Sequence, residues 1–283
     1  MQKIKSLIKK IMPISLYIYL CQMRKMKKVN RISKKSNIDI LDINELKKIK
    51  KSDTLFILGS GDSINSITEE EWKIIKSKDS IGLNFWLYHK FIPNFYCYEE
   101  GDDDERNNIF YKNLKLKEEE YKSVIFLVKS IQWHGLDYSS IPKKLIKNHK
   151  ISTEIEAFSS SRKEMIKFYN KLKIRHTKTL VQARASISYL IYLGYLLGYK
   201  EIVLCGVDLN NTKYFFEDIK YNKYIIPKNE MKDIHFTEMK RVDKLTISEI
   251  IEVLAKDIFK NEIKIYIAKS VGVLSSKIEV YKF

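Results

Sequence analysis

Phe56-Ile57-Leu58-Gly59-Ser60-Gly61-Asp62-Ser63 and Gly198-Tyr199-Lys200-Glu201-Ile202-Val203-Leu204-Cys205-Gly206-Val207-Asp208 decide how this chain is read. Each holds a short apolar run of strand length that ends in a glycine-bearing turn with an acidic residue at its carboxyl edge. Continuous apolar runs mark strands covered on both faces by helices. Open α/β sheets hold ligands outside the carboxyl ends of their strands. The pair therefore predicts an α/β, Rossmann-like, mostly parallel sheet flanked by helices, with a nucleotide site at that edge.

Outward from these segments, strands alternate with helices. Thr54–Leu58 is the first strand, followed by Ser80–Asn84, Asn94–Glu99, Val124–Lys129, a fifth within Ile151–Phe158, then Glu201–Cys205 and a closing Lys264–Ile267. Thr68-Glu69-Glu70-Glu71 has the spacing of a capping box and predicts a helix over Glu69–Lys76. Ser186–Leu197 is apolar on nearly every side, as a helix buried against a sheet should be. Thr246–Phe259 carries Ile247, Ile250, Ile251, Val253, Leu254 and Ile258 at helical spacing, and Asp39–Lys51 reads as a short helix. The alternation implies parallel pairing through crossover helices. Residues 38–283 form one nucleotide-binding domain with a small lid at about 210–245, and the polar stretch 30–37 reads as a linker to a basic N-terminal segment, residues 1–37.

The formal charge is +17, but eleven Lys and Arg lie in residues 1–35, which hold no Asp or Glu. The other 248 residues therefore carry only 17 − 11 = +6. No aromatic-interleaved basic stripe or reader motif accompanies this charge, so nucleic acid is not the expected partner. The apolar run Ile11–Cys21 is eleven residues long, well short of the roughly 20 a spanning helix needs. Flanked by Lys9, Lys10, Arg24, Lys25, Lys27 and Lys28, it reads either as an interfacial anchor on an anionic membrane, with Tyr17 and Tyr19 at headgroup depth, or as a helix packed on the domain with a solvated basic rim. Cys21, Cys97 and Cys205 are far apart in sequence, which argues against a disulfide framework or a zinc site and for a reducing, cytoplasmic location; the basic segment 1–35 would make that location peripheral on the inner membrane.

Several residues carry candidate chemistry. Gly59 and Gly61 allow a tight turn and close backbone approach to a phosphate or ribose, with Ser60 and Ser63 as hydroxyl donors. The third glycine of the dinucleotide fingerprint and the Lys of a P-loop are both missing. Asn84 offers an amide suited to a base or sugar edge. Arg184 and Ser186 stand where the buried helix begins, a place for an anionic group. Asp208, Asn210 and Tyr214 follow the late strand, and Tyr214 either donates to a departing phosphate oxygen or packs in its loop. His235 lies in a polar segment suited to closing over substrate and is the candidate general base; His89, His134, His149 and His176 lack such context. The acidic run Glu99–Glu105 is either a Mg²⁺ or Mn²⁺ site through Asp102 and Asp104, or a solvated loop opening a helix.

Gly59-Ser60-Gly61-Asp62-Ser63, Asn84, Ser186 through Ile202, Gly206-Val207-Asp208 and Tyr214 together resemble the bacterial sialyltransferases of glycosyltransferase family 42 and related transferases that handle CMP-activated acidic sugars. The resemblance spans about residues 54–280 and is strongest over Ser186–Asp208. It implies a single α/β domain with a lid and inverting transfer from a CMP-sugar, with neither metal nor cofactor, to a glycan hydroxyl; the basic N-terminal segment, held at the inner membrane, would place the enzyme near a lipid-linked glycan. It further implies that Gly59, Ser60, Gly61 and Asn84 bind cytidine and phosphate, that Ser186 binds the donor, that Tyr214 serves the leaving group and that His235 is the base. Sialic acid, a related nonulosonic acid or Kdo would fit as the transferred sugar, and a homo-oligomer is compatible. Other readings stay open: a metal-dependent nucleotide-sugar transferase built on Asp102–Asp104, a pterin pyrophosphokinase-like enzyme, or a non-catalytic basic protein that binds membrane or nucleic acid.

Overall fold

A computed structural model describes residues 12–99, 103–129, 138–174, 179–210, 213–221 and 235–283. The sheet elements are β1 (Asp39–Ile40), β2 (Thr54–Leu58), β3 (Asp79–Leu83), β4 (Phe95–Glu99), β5 (Ile125–Lys129), β6 (His149–Ile151), β9 (Glu201–Cys205), β10 (Lys264–Ile267) and β11 (Glu279–Val280). They form one nine-stranded sheet in the order β1-β6-β5-β4-β3-β2-β9-β10-β11, with every pair parallel. From β2 the chain steps outward to β3 on one side; from β9 it steps to β10 on the other. The strand order thus reverses between β2 and β9, and such a switch point opens a crevice at the carboxyl ends.

Strand β2 shows why the sheet must be covered twice: all five residues are buried, and alternate side chains point to opposite faces. Leu55 and Ile57 join one core and Phe56 and Leu58 the other. The first core is covered by α5 (Arg162–Ile174), α6 (Ser186–Leu197) and α7 (Ile247–Val253), the second by α3 (Glu69–Lys76) and α4 (Asp104–Leu116). Helix α3 has the capping box read from Thr68 and Glu71, and a second one, Thr246 with Glu249, opens α7. Past α7 the helix widens to a π-turn at Leu254–Ile258.

Three expectations change. The segment 30–37 is not a linker: α1 (Ile14–Ser36) runs straight through it and ends at Asn37, whose φ of 56° is the left-handed conformation that asparagine tolerates at a helix end. The polar residues that suggested a linker are the solvent side of this helix, while Ile18 and Val29 are buried on the domain. The helix covers the edge at β1 and reaches both cores, Ile18 in one and Val29 in the other. The helix expected over Asp39–Lys51 is β1 followed by the shorter α2 (Ile43–Ile49), begun by Asp42 accepting from the Asn44 N–H. The fifth strand divides, because the chain leaves the main sheet after β6 and forms β7 (Glu154–Glu156), paired with β8 (Leu180–Gln182) in a separate two-stranded sheet. Residues 1–11 of the basic segment and residues 211–212 and 222–234 of the expected lid lie outside the described residues.

Candidate active site

The turns after β2 and β9 are joined directly. Gly59 N–H donates to the Cys205 carbonyl and Gly61 N–H to the Gly206 carbonyl, both at 2.8 Å. A Cβ at Gly61 would stand 2.6 Å from Asp208 Oδ2 and 2.8 Å from the Gly206 oxygen, so only glycine lets the turns close this far. Asp208 completes the join: its carboxylate accepts from the Ser63 N–H at 2.9 Å and from the Ser63 hydroxyl. Burial pushes its pKa up and the two Ser63 bonds hold it down. Ser63 and Asp208, both expected at the ligand, thus bond to each other and brace the crevice wall.

Tyr214 pairs with Gly61 as an isolated antiparallel bridge, and Phe215 N–H donates to the Ser60 carbonyl at 2.9 Å. This places Tyr214 beside the first turn, stacked on Phe216. Burial raises its phenol pKa and Arg106 opposes that rise, so at neutral pH it is a proton donor. Gly272, after β10, approaches Asp208 so closely that a Cβ would lie 2.0 Å from its carbonyl oxygen.

On the other flank, Asn84 follows β3 with φ 53°, and its side-chain oxygen accepts from the Glu99 N–H at 3.3 Å. Glu99 ends β4, level in register with Lys129 at the end of β5. The Lys129 ammonium is fully buried, 3.2 Å from Glu99 Oε2, and donates to Ser186 Oγ at 2.9 Å. Ser186 Oγ in turn donates to Glu99. Such a buried cation persists only when its charge and its donors are met. Sequence reading passed over Lys129 altogether and took Glu99 only as the start of an acidic run. The available signal was two adjacent strands whose apolar runs both end in a charge.

Ser186 begins α6, whose N-cap, Ala185, provides no side-chain cap. Arg184, two residues earlier, has φ 67°. Its guanidinium donates to the carbonyls of Leu245 at 3.0 Å and of Met239, tying the segment 235–245 to the start of α6. Arg184 is thus a clamp on the segment that carries His235. Within that segment His235 Nδ1 meets the Thr237 hydroxyl at 2.8 Å, and Glu238 accepts from Ser248 at the start of α7. Burial lowers the His235 pKa below 6.5, with Glu238 pulling the other way, so the ring is neutral at neutral pH.

Of the remaining histidines, His89 lies in an aromatic nest with Trp72 and Trp86 and is pushed down to about 3 by burial. His149 stacks on Phe126 and is pushed down to about 4, again by burial. Both are core residues, and His134 and His176 lie outside the described residues. In the acidic run, Asp103 caps α4 by accepting from the Arg106 N–H and Asp104 stands in the first turn, while Asp102 lies outside the described residues. The three cysteines are unpaired. Among the described residues no helix is long and apolar enough to cross a membrane.

Fold and site together define a Rossmann-like parallel α/β protein whose crevice, at the β2/β9 switch point, is walled by two interlocked glycine turns. In structure the chain is similar to the monofunctional α-2,3-sialyltransferase Cst-I from Campylobacter jejuni, at 16% identity and a TM-score of 0.45, with 86% of this chain and 85% of that one covered. It is also similar to an α-2,3-sialyltransferase from Campylobacter jejuni in its apo form, at 14% identity and a TM-score of 0.44, covering 86% and 82%. No protein-family profile and no curated protein sequence matches the chain.

Proposed function

We propose that this protein is a glycosyltransferase that moves an acidic sugar, sialic acid or a related nonulosonic acid or Kdo, from a CMP donor to a hydroxyl of a glycan, with inversion. The observation that carries the reading is the location of the Gly59–Ser63 and Gly206–Asp208 turns at the topological switch point, hydrogen-bonded to each other with Tyr214 alongside. That is where an open parallel sheet receives a nucleotide. Within that class, the choice of CMP rests on the resemblance of Gly59-Ser60-Gly61, Asn84, Ser186 and Gly206-Val207-Asp208 to the sialyltransferases of glycosyltransferase family 42.

In this reading the nucleotide lies over Gly59–Gly61 and Asn84, and the donor carboxylate meets the uncapped N–H groups at the start of α6. His235, neutral at working pH, takes the proton of the acceptor hydroxyl as that oxygen attacks the anomeric carbon and the bond to CMP breaks. Negative charge develops on the departing phosphate, where the Tyr214 hydroxyl and the turn N–H groups offset it. Arg184 positions the His235 segment.

The test is thermal stabilisation by CMP, UDP, GDP and ATP, since a ligand that binds only the folded state raises the melting temperature by mass action. CMP alone should raise it. Stabilisation by ATP or UDP in its place, or activity abolished by EDTA and restored by Mn²⁺, would overturn the assignment.

A further inference from the structure

Helix α1 has two different faces, one inner and one outer. Its inner face, with Ile18, Val29 and the half-buried Tyr17, packs on the domain. Its outer face begins with Leu16, Tyr19, Leu20 and Met23, each between 44 and 49% exposed, and continues as Arg24, Lys27, Lys28 and Arg31, all exposed. At helical spacing these residues form one stripe, apolar over roughly the first 11 Å and cationic beyond it. A second apolar cluster lies on the segment that carries His235: Phe236, Met239 and the fully exposed Val242, with Lys240 and Arg241 among them.

One residue ties the two segments that carry these clusters. The Glu156 carbonyl accepts from the Tyr17 hydroxyl at 3.4 Å, and its carboxylate pairs with Lys244 at 2.9 Å. The apolar half of α1 and the His235 segment therefore both flank β7. Solvent-exposed apolar side chains grouped this way mark an interaction surface. A cationic rim, in a segment 1–35 that has no acidic residue, selects a polyanionic partner with an apolar interior, which is an anionic lipid bilayer.

We infer that the protein docks on an anionic membrane through the apolar half of α1 and the tip at Phe236–Val242, with the basic half of α1 at headgroup level. Tyr19 enters the interface, while Tyr17, turned inward, does not. The surface sets the side of the molecule carrying Arg184 and His235 against the lipid. Given the function proposed above, it follows that the acceptor is a glycan presented at the membrane surface.

The test uses the full chain in co-sedimentation with vesicles of phosphatidylcholine alone and of phosphatidylcholine with phosphatidylglycerol. Binding is expected only to the anionic vesicles and should weaken as salt is raised. L16S/Y19S/L20S should reduce it by roughly a hundredfold, since three interfacial apolar side chains are lost. R24Q/K27Q/K28Q should reduce it by roughly fivefold per cation removed, and V242S should also weaken it. The substituted α1 side chains are exposed and lie outside the site, so in both α1 variants melting temperature and transfer to a soluble acceptor should be unchanged. That separates failure of docking from failure of the transferase reading. Equal sedimentation with neutral vesicles, no effect of either α1 variant, or a dimer in light scattering that L16S/Y19S/L20S converts to monomer would overturn the inference, the last by showing that a second copy covers this face.

Discussion

Ser63→Ala tests whether the crevice wall depends on the brace between the two turns. The substitution keeps the Ser63 N–H bond to Asp208 and removes only the hydroxyl. A hydrogen bond to a charged group contributes about 1.5–3 kcal/mol, and Asp208 is too buried for water to replace the donor. For a chain of this size that is a fall in melting temperature of roughly 3–5 °C. The pH dependence is more specific than the size of the fall. Burial already raises the Asp208 pKa above 3.8, so its folded state favours the protonated form. Its contribution to stability is greatest below the unfolded value and is lost as pH rises through the folded one. Removing the hydroxyl raises the folded pKa further, so the deficit of the variant should be full at about pH 7.5 and smaller at about pH 4.5. Differential scanning calorimetry at the two pH values reads both effects. In a D208N background the same serine substitution should cost at least about 1 kcal/mol less, because the charged acceptor is gone. A deficit under 1 °C, or one equal at both pH values, would refute the brace.

Three further outcomes follow from the site. H235A should retain donor affinity and lose roughly 10²–10⁴-fold in kcat; the wild-type rate, measured by CMP release, should hold at neutral pH and fall only as pH drops through the depressed His235 pKa below 6.5, where the ring gains a proton. R184K should loosen the 235–245 segment, because an ammonium cannot reach two carbonyls in the fixed fork of a guanidinium; faster hydrogen exchange confined to that segment is the expected readout, and unchanged exchange would show that Arg184 does not hold it. K129M should lower stability by up to about 3 kcal/mol in chemical denaturation and weaken CMP-sugar binding, with E99Q/K129M recovering part of the stability because it removes the partner charge as well.

The sheet was legible because its signal is local and repeated. Thr54–Leu58, Glu201–Cys205 and Lys264–Ile267 are apolar runs bounded by polar or turn residues, and the structure has strands at these residues. The capped start at Thr68 and the helix start at Ser186 were legible for the same reason. What sequence could not show was pairing between distant positions. Ser63 and Asp208 each look like ligand groups when read alone, and only the β2/β9 neighbourhood reveals that each is the other's partner. Lys129 was hidden because a lysine after a strand reads as solvated; its burial depends on Glu99 and Ser186, 30 and 57 residues away. Helix α1 was misread at 30–37 because its polarity belongs to one side only, and a helix paired on one face with a sheet edge has few apolar positions to show.

Backbone strain points to the same edge of the molecule. Apart from Asn37 at the end of α1, the described non-glycine residues with positive φ are Asn84, Arg184 and Leu209, at 53°, 67° and 63°. They follow β3, β8 and β9, where the chain turns off a strand. Such conformations cost on the order of 1 kcal/mol or more for a residue with a Cβ, and glycine would relieve each of them. A side chain retained there must therefore make contacts that glycine would forfeit. Leu209 is buried against the first core, Asn84 accepts from the Glu99 N–H, and Arg184 holds the His235 segment by two of its carbonyls. Two of the three strained turns thus serve to orient groups at the crevice rather than to fill the interior. The cost is met where the Lys129 cluster and the His235 segment come together, at the start of α6.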